Sequence, residues 1–154
     1  SAKGANMSNS RPSNIWQAQY SIPFAIGAAL VDGKVGPGQI TEARLGDKAI
    51  LNMADKVKLR ADSEVDKLIP GIYAAKVEVD TKHGKSFQTF IKYPRGDLEN
   101  PLTDDELREK FMTLAANVAG SQRALELDRL IGHLDELCDV SELVDKLRYF
   151  NVGQ

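Results

Sequence analysis

Cysteine is nearly missing from this chain. A single Cys138 in 154 residues excludes an internal disulfide and any zinc site built from several cysteines. It is compatible with a reducing compartment. Histidine is almost as scarce, with only His83 and His133. An excess of one charge is lacking too: the net charge is −2, with acids and bases interspersed. That argues against a nucleic-acid or membrane-surface protein, which would carry a basic patch. No apolar run reaches the roughly 20 residues that a bilayer requires, and no N-terminal apolar segment resembles a signal peptide. Cytoplasm is the expected location. Residues 1–8, SAKGANMS, are small and polar and are expected to form a disordered leader or a cloning remnant. What is present is ordinary: 42% apolar residues, enough for a real core in one domain, or one domain plus a helical tail.

The stretch that organises the chain runs from Ile15 to Gly33, IWQAQYSIPFAIGAALVDG. Ser21 is a natural N-cap, its hydroxyl accepting from a free N–H of the first turn. Pro23 falls in that turn, where a missing N–H costs nothing. Ile22, Ala25, Ile26, Ala29 and Leu30 follow the spacing of a buried helix stripe, and Phe24, Ala28 and Val31 make a second apolar line. Gly33 can end the helix in the left-handed conformation. Such a helix must be covered on most sides.

Lys34–Gly38 is a loop. Its glycines do not form a phosphate loop, because no strand precedes them and no Gly-Lys-Ser/Thr follows. Thr41 to Leu45 reads as a short helix, and Asp47 caps another with Ile50, Leu51 and Ala54 inward. Val57 to Ala61 alternates apolar and polar and predicts a strand. Ser63 to Pro70 is a polar connection or a helical turn. Ala75–Thr81 and Lys85–Tyr93 predict a hairpin turning at Lys82–Gly84, with Val77 and Val79 on its buried face. His83 then sits in an exposed turn. Pro94–Pro101 reads as a rigid polar linker.

Thr103 and Glu106 form a capping box, with Leu102 placed to staple onto Leu107. Asp104 and Asp105 lie at the positive end of the helix dipole, which explains them without a metal. Leu107, Phe111, Leu114, Ala115 and Val118 form that helix's stripe, and Gly120 ends it. Ser121 is placed to cap a further helix, with Leu127, Leu130, Ile131, Leu134 and Leu137 inward and His133 on it. Asp139 and Glu142 suggest another box, followed by Leu143, Val144 and Leu147.

Two passages carry a resemblance. The first is Asn9-Ser10-Arg11-Pro12, Gln17 to Phe24 and Ala28 to Gly33. The second is Pro94-Arg95-Gly96-Asp97, Asn100-Pro101-Leu102-Thr103, Glu106-Leu107 and Lys110-Phe111. In this order they resemble signatures of the MmgE/PrpD family, which includes 2-methylcitrate dehydratases, cis-aconitate decarboxylases and iminodisuccinate epimerases. The resemblance implies an α+β fold. An α/β lid domain with an antiparallel hairpin would occupy residues 9–100. C-terminal helices, residues 101–154, would return to an all-helical domain that this chain does not contain and that carries most of the family's catalytic side chains.

The resemblance further implies a lyase or isomerase acting on small di- or tricarboxylates, without an organic cofactor. No dinucleotide fingerprint is present either. Many relatives place a tyrosine facing the substrate cleft where this chain has Phe24. Gln19, Ser21 and Phe24 are therefore the candidates for the cleft, although capping alone accounts for Ser21. No catalytic or metal-binding residue is identified, and the chain is expected to be inactive by itself. Its helices need a cover, and a second copy, giving a homo-oligomer, is one of those expected. The other reading is a stand-alone α/β module binding a protein partner through its helical tail. A helical reading frame in phase ahead of Ser1 separates the two.

Overall fold

The computed structural model describes residues 7–148. Eight helices and one two-stranded antiparallel sheet follow in the order α1 (Ile15–Gln19), α2 (Ile22–Asp32), α3 (Glu42–Leu45), α4 (Lys48–Ala54), α5 (Ser63–Asp66), β1 (Ala75–Asp80), β2 (Ser86–Ile91), α6 (Asp104–Ala119), α7 (Ser121–Gly132) and α8 (Ser141–Arg148). A 3-10 turn, Leu134–Glu136, lies between α7 and α8. This is the α+β class read from the sequence. The chain divides between Lys92 and Tyr93 into two units. Of the polar leader, residues 1–6 lie outside the described residues. Met7 is held in place, its carbonyl accepting from the Ile22 N–H at 3.0 Å.

The first unit is built on α2 crossing α4. Ser21 caps α2 as expected, accepting from the Phe24 N–H at 3.0 Å, and Gly33 closes it with φ of 72°. The buried face differs from the expected stripe. Pro23, Phe24, Gly27 and Ala28 are buried, whereas Ala29 and Leu30 are exposed and Ile22, Ala25 and Ile26 are only half-covered. Of the second apolar line Phe24 and Ala28 are buried, but Val31 is exposed. A helix apolar nearly all round has no preferred side, and close approach chose one. A Cβ on Gly27 would lie 2.6 Å from the Ile50 carbonyl oxygen and 3.0 Å from the Ala54 nitrogen. The bare glycine lets the α4 backbone rest on α2. Ala18, Phe24, Ala28 and Ile50 form the core, with Ile40, Leu45 and Leu51 against it.

Asp47 caps α4 through Ala49 and Ile50. Arg44 reaches back to both Asp32 oxygens at 2.7 Å and to Asp47 at 2.9 Å, which closes the loop between α2 and α3. The expected strand at Val57–Ala61 does not form. Alternation alone needs a partner strand to become a ladder, and the described sheet contains only β1 and β2. Ser63–Pro70 is a helical turn and its exit.

The hairpin forms in the expected place, with Val77 opposite Thr89 and Val79 opposite Phe87. Its loop closes where the Thr81 N–H donates to the Lys85 carbonyl at 2.8 Å. Val77 and Val79 are half-buried rather than buried, and Phe87 across from Val79 is 60% exposed. The opposite face is mostly polar, with Glu78 bound to Lys76 and Gln88 and Ser86 bound to Asp80, and it also carries the exposed Phe90 opposite Lys76.

The second unit opens on a structured loop rather than a plain linker. Asp97 and Asn100 form an isolated bridge, and the Asn100 amide donates to the Tyr93 carbonyl at 3.0 Å. The capping box is complete: the Glu106 N–H donates to the Thr103 hydroxyl, and the Thr103 N–H donates to Glu106 at 2.8 Å. α6 packs on α7, but the expected α6 stripe is only partly the covered one. Phe111, Met112, Ala115, Ala116 and Ala119 are half-buried, whereas Leu107, Leu114 and Val118 are exposed. On α7, Ala124 and Leu127 are buried and Leu130 half-buried, while Ile131 and Leu134 stay exposed. Gly120, not Ser121, occupies the N-cap of α7, and Ser121 is its first residue. Before α8 neither half of the expected Asp139–Glu142 box is seen: Asp139 accepts instead from the Ser141 N–H, two residues on, at 2.8 Å, which lowers its pKa.

Glu106 provides a test. The Arg95 guanidinium and then the Thr103 N–H and hydroxyl hold its carboxyl down from an ordinary 4.5 to about 2. A depressed carboxyl contributes stability above its unfolded value and loses it as the group protonates. Stability of this unit is therefore expected to fall between pH 4.5 and about 2. Glu106→Gln should flatten that fall in a denaturation series against pH. Thr103→Ala, which removes the cap from the same box, should cost about 1 kcal/mol at neutral pH.

Candidate functional site

The first signature passage lies around the N-terminus of α2, and most of its polar residues hold the fold together. Asn14 caps α1 through the Gln17 N–H at 2.9 Å. The Gln17 side-chain oxygen Oε1 accepts from the Asn9 side-chain amide at 3.2 Å, the Ser13 N–H at 2.9 Å and the Ser13 hydroxyl at 3.1 Å. Ser10 and Arg11 both bind Asp55, at 2.8 Å and 2.6 Å, tying the segment before α1 to the end of α4. Arg11 and then Ser10 lower the Asp55 pKa.

The three cleft candidates are placed differently. Ser21 is buried, its hydroxyl donating to the Asn9 carbonyl while accepting from the Phe24 N–H, so both capacities serve the fold. Phe24 is fully buried in the core. Gln19 is exposed at the end of α1. It stands between two aromatic residues that sequence reasoning did not single out: Trp16 is 74% exposed and Tyr20 61%. Residues 16, 19 and 20 share the i, i+3, i+4 spacing of one helix face. That spacing was the available signal. The result is an amphipathic patch of indole, amide and phenol, of the kind that covers a ligand or a partner.

The second signature passage is also structural. Arg95 binds Glu106 through two nitrogens, and it binds the Asn100 side chain at 3.0 Å and the Pro101 carbonyl. His83 is exposed in the hairpin turn, and Cys138 is an exposed free thiol. His133 ends α7, its Nδ1 2.9 Å from the Arg129 carbonyl. Among the described residues no group of three or more His, Cys, Asp or Glu is arranged to hold a metal ion. None of their helices is long and apolar enough to cross a membrane. The carboxyls with shifted pKa values, Asp55, Glu106, Glu126 and Asp139, are all lowered by hydrogen-bond partners. Lowered carboxyls are poor proton acceptors at neutral pH.

Comparison with known proteins bears on what such a surface serves. Residues 2–136 match the model of the MmgE/PrpD C-terminal domain. The cis-aconitate decarboxylase-like protein oryM of Aspergillus oryzae is 32% identical over 135 residues, which cover 87% of this chain and 27% of that protein. A cis-aconitate decarboxylase of Aspergillus terreus is 27% identical over 139 residues, covering 89% and 28%. The chain thus spans about a quarter of the length of the curated relatives it matches.

Proposed function

The chain belongs to the MmgE/PrpD family, and from that premise we propose that it is the lid and C-terminal portion of a lyase or isomerase. The enzyme would act on small di- or tricarboxylates by dehydration, decarboxylation or epimerisation beside a carboxylate. The observation that carries this reading is the extent of the match. Nearly nine-tenths of this chain aligns with little more than a quarter of each relative, and the matched model is that of a C-terminal domain.

Removing a proton α to a carboxylate requires a base, groups that stabilise the resulting charge, and exclusion of water. In the proposed enzyme this chain supplies the last and part of the second. Trp16, Gln19 and Tyr20 are the side chains that meet the substrate: two aromatic rings displace water and one amide offers hydrogen bonds. Phe24 has no hydroxyl and transfers no proton. The base comes from the part of the enzyme outside the match, no organic cofactor is needed, and the location is cytoplasmic.

The test is turnover by the purified chain. Cis-aconitate comes first, because the relatives are named for its decarboxylation; 2-methylcitrate and iminodisuccinate follow. The expected result is no turnover of any of the three, because base and charge-stabilising groups must be prepositioned together. Turnover by the isolated chain, abolished by Tyr20→Phe or His133→Ala, would place the chemistry within it and overturn the reading.

A further inference from the structure

The hairpin has two open edges, and they differ. The described sheet contains β1 and β2 alone, and a two-stranded hairpin by itself is marginal in water. The Thr81 N–H donates to the Lys85 carbonyl, which fixes the alternation of the ladder. Val79–Phe87, Val77–Thr89 and Ala75–Ile91 are the hydrogen-bonded pairs, and the pairs between them turn their backbone groups outward. The open edge of β1 therefore belongs to Lys76, Glu78 and Asp80, and that of β2 to Ser86, Gln88 and Phe90.

Charged side chains along an edge are one way a sheet resists further pairing. β1 has one at each outward position and β2 has none. Between Lys85 and Lys92, β2 reads SFQTFI. It holds no charge, no proline and no glycine, and Phe87, Thr89, Phe90 and Ile91 all favour strand. Every residue of β2 is exposed. An exposed, uncharged edge of this kind is a template for another strand. Its lack of charge also makes β2 compatible with itself.

We propose that β2 pairs antiparallel with β2 of a second copy of this chain, joining the two hairpins into one continuous sheet. With Gln88 facing Gln88 of the second copy across a two-fold axis, Ser86 faces Phe90 and Phe90 faces Ser86. Every outward residue of both strands then exchanges its N–H···O bonds. The next allowed step in one direction leaves Phe90 opposite Gly84, in the turn; in the other it leaves Ser86 opposite Lys92. In the centred register Lys85 faces Ile91 and Lys92 faces Gly84, so no lysine opposes a lysine. On the other face Phe87 lies beside Thr89 of the second copy, which extends the apolar row begun by Val77 and Val79. The assembly closes at two copies, because both outer edges of the new sheet are the charged β1.

The experiment is sedimentation equilibrium of the purified chain across a wide range of concentration, with cross-linking to locate the contact. A monomer–dimer equilibrium is expected. Gln88→Lys sets two like charges face to face on the axis and should weaken the dimer roughly tenfold. Gln88→Cys is made together with Cys138→Ser, which removes the exposed native thiol. It should give a disulfide-linked dimer on mild oxidation, since facing residues of a hydrogen-bonded pair stand about 5.5 Å apart at Cα. Glu78→Cys in the same background, on the β1 edge, should not. Circular dichroism confirms that each variant is folded. A monomer at every concentration would leave the β2 edge to a strand from elsewhere and overturn the inference. So would a dimer indifferent to Gln88→Lys, a cross-link through Glu78→Cys as ready as through Gln88→Cys, or open-ended assemblies in place of a dimer.

Discussion

Phe24→Ala is expected to destabilise the first unit by about 3–5 kcal/mol, the range for emptying a buried phenylalanine site. The ring is fully buried with Ala18, Ala28 and Ile50. Its neighbours are small or held by backbone packing, so they cannot collapse into the space. Phe24→Tyr asks a sharper question. Many relatives are expected to carry a tyrosine here. In this chain a hydroxyl at the ring's far end would enter an apolar core, where an unpartnered polar group costs about 1–3 kcal/mol. Chemical denaturation of the two variants separates a core residue from a cleft residue. Loss of stability in both fits the core. A tyrosine variant as stable as the parent would mean that the ring borders a polar cleft.

Gly27→Ala is expected to act through a different physical term and to cost about 1–3 kcal/mol, the range for overpacking. A helix interior ordinarily gains nearly 1 kcal/mol from this change, so the sign itself is diagnostic. The new methyl would stand 2.6 Å from the Ile50 carbonyl oxygen and 3.0 Å from the Ala54 nitrogen. Both atoms are backbone, and neither can move without shifting α4 as a whole. A lowered denaturation midpoint is the expected outcome. A raised one would mean that α2 and α4 do not touch at Gly27.

These two residues show where the fold could be read from sequence. Helix ends were legible because each rests on local chemistry: Ser21 and Gly33 on α2, Asp47 on α4, Thr103 with Glu106 on α6. The hairpin was legible for the same reason, alternation on both sides of a glycine turn. Faces were harder. α2 is apolar nearly all round, so its period names no side, and the side was chosen by Gly27, a residue with no side chain to count. On α6 the periodicity offered Leu107, Leu114 and Val118 as readily as Phe111 and Ala115, and only the packed partner distinguishes them. Val57–Ala61 had a strand's alternation but no strand beside it. At Ser121 the cap fell one residue earlier, on Gly120.

The candidate site was only partly legible. Signature words pointed to Gln19, Ser21 and Phe24 together, yet Ser21 and Phe24 are buried and only Gln19 is exposed. A sequence word does not say whether a residue faces inward or outward. The pairs Arg95–Glu106 and Arg11–Asp55 span 11 and 44 positions, distances at which no local rule links two charges. The exposed Trp16 and Tyr20 could have been found, because their spacing with Gln19 places all three on one helix face.

The central claim is that the stretch from Ile15 to Gly33 is the core of a unit that folds within this chain. Hydrogen exchange of the backbone amides in the isolated 154-residue chain tests it most directly. The amides of Ala25 to Ala28, inside α2 and against α4, are predicted to be among the slowest to exchange between residues 7 and 92, because releasing them requires opening the whole unit. Exchange there as fast as in the Lys34–Gly38 loop would mean that α2 is not a core in this chain alone, and would contradict the account.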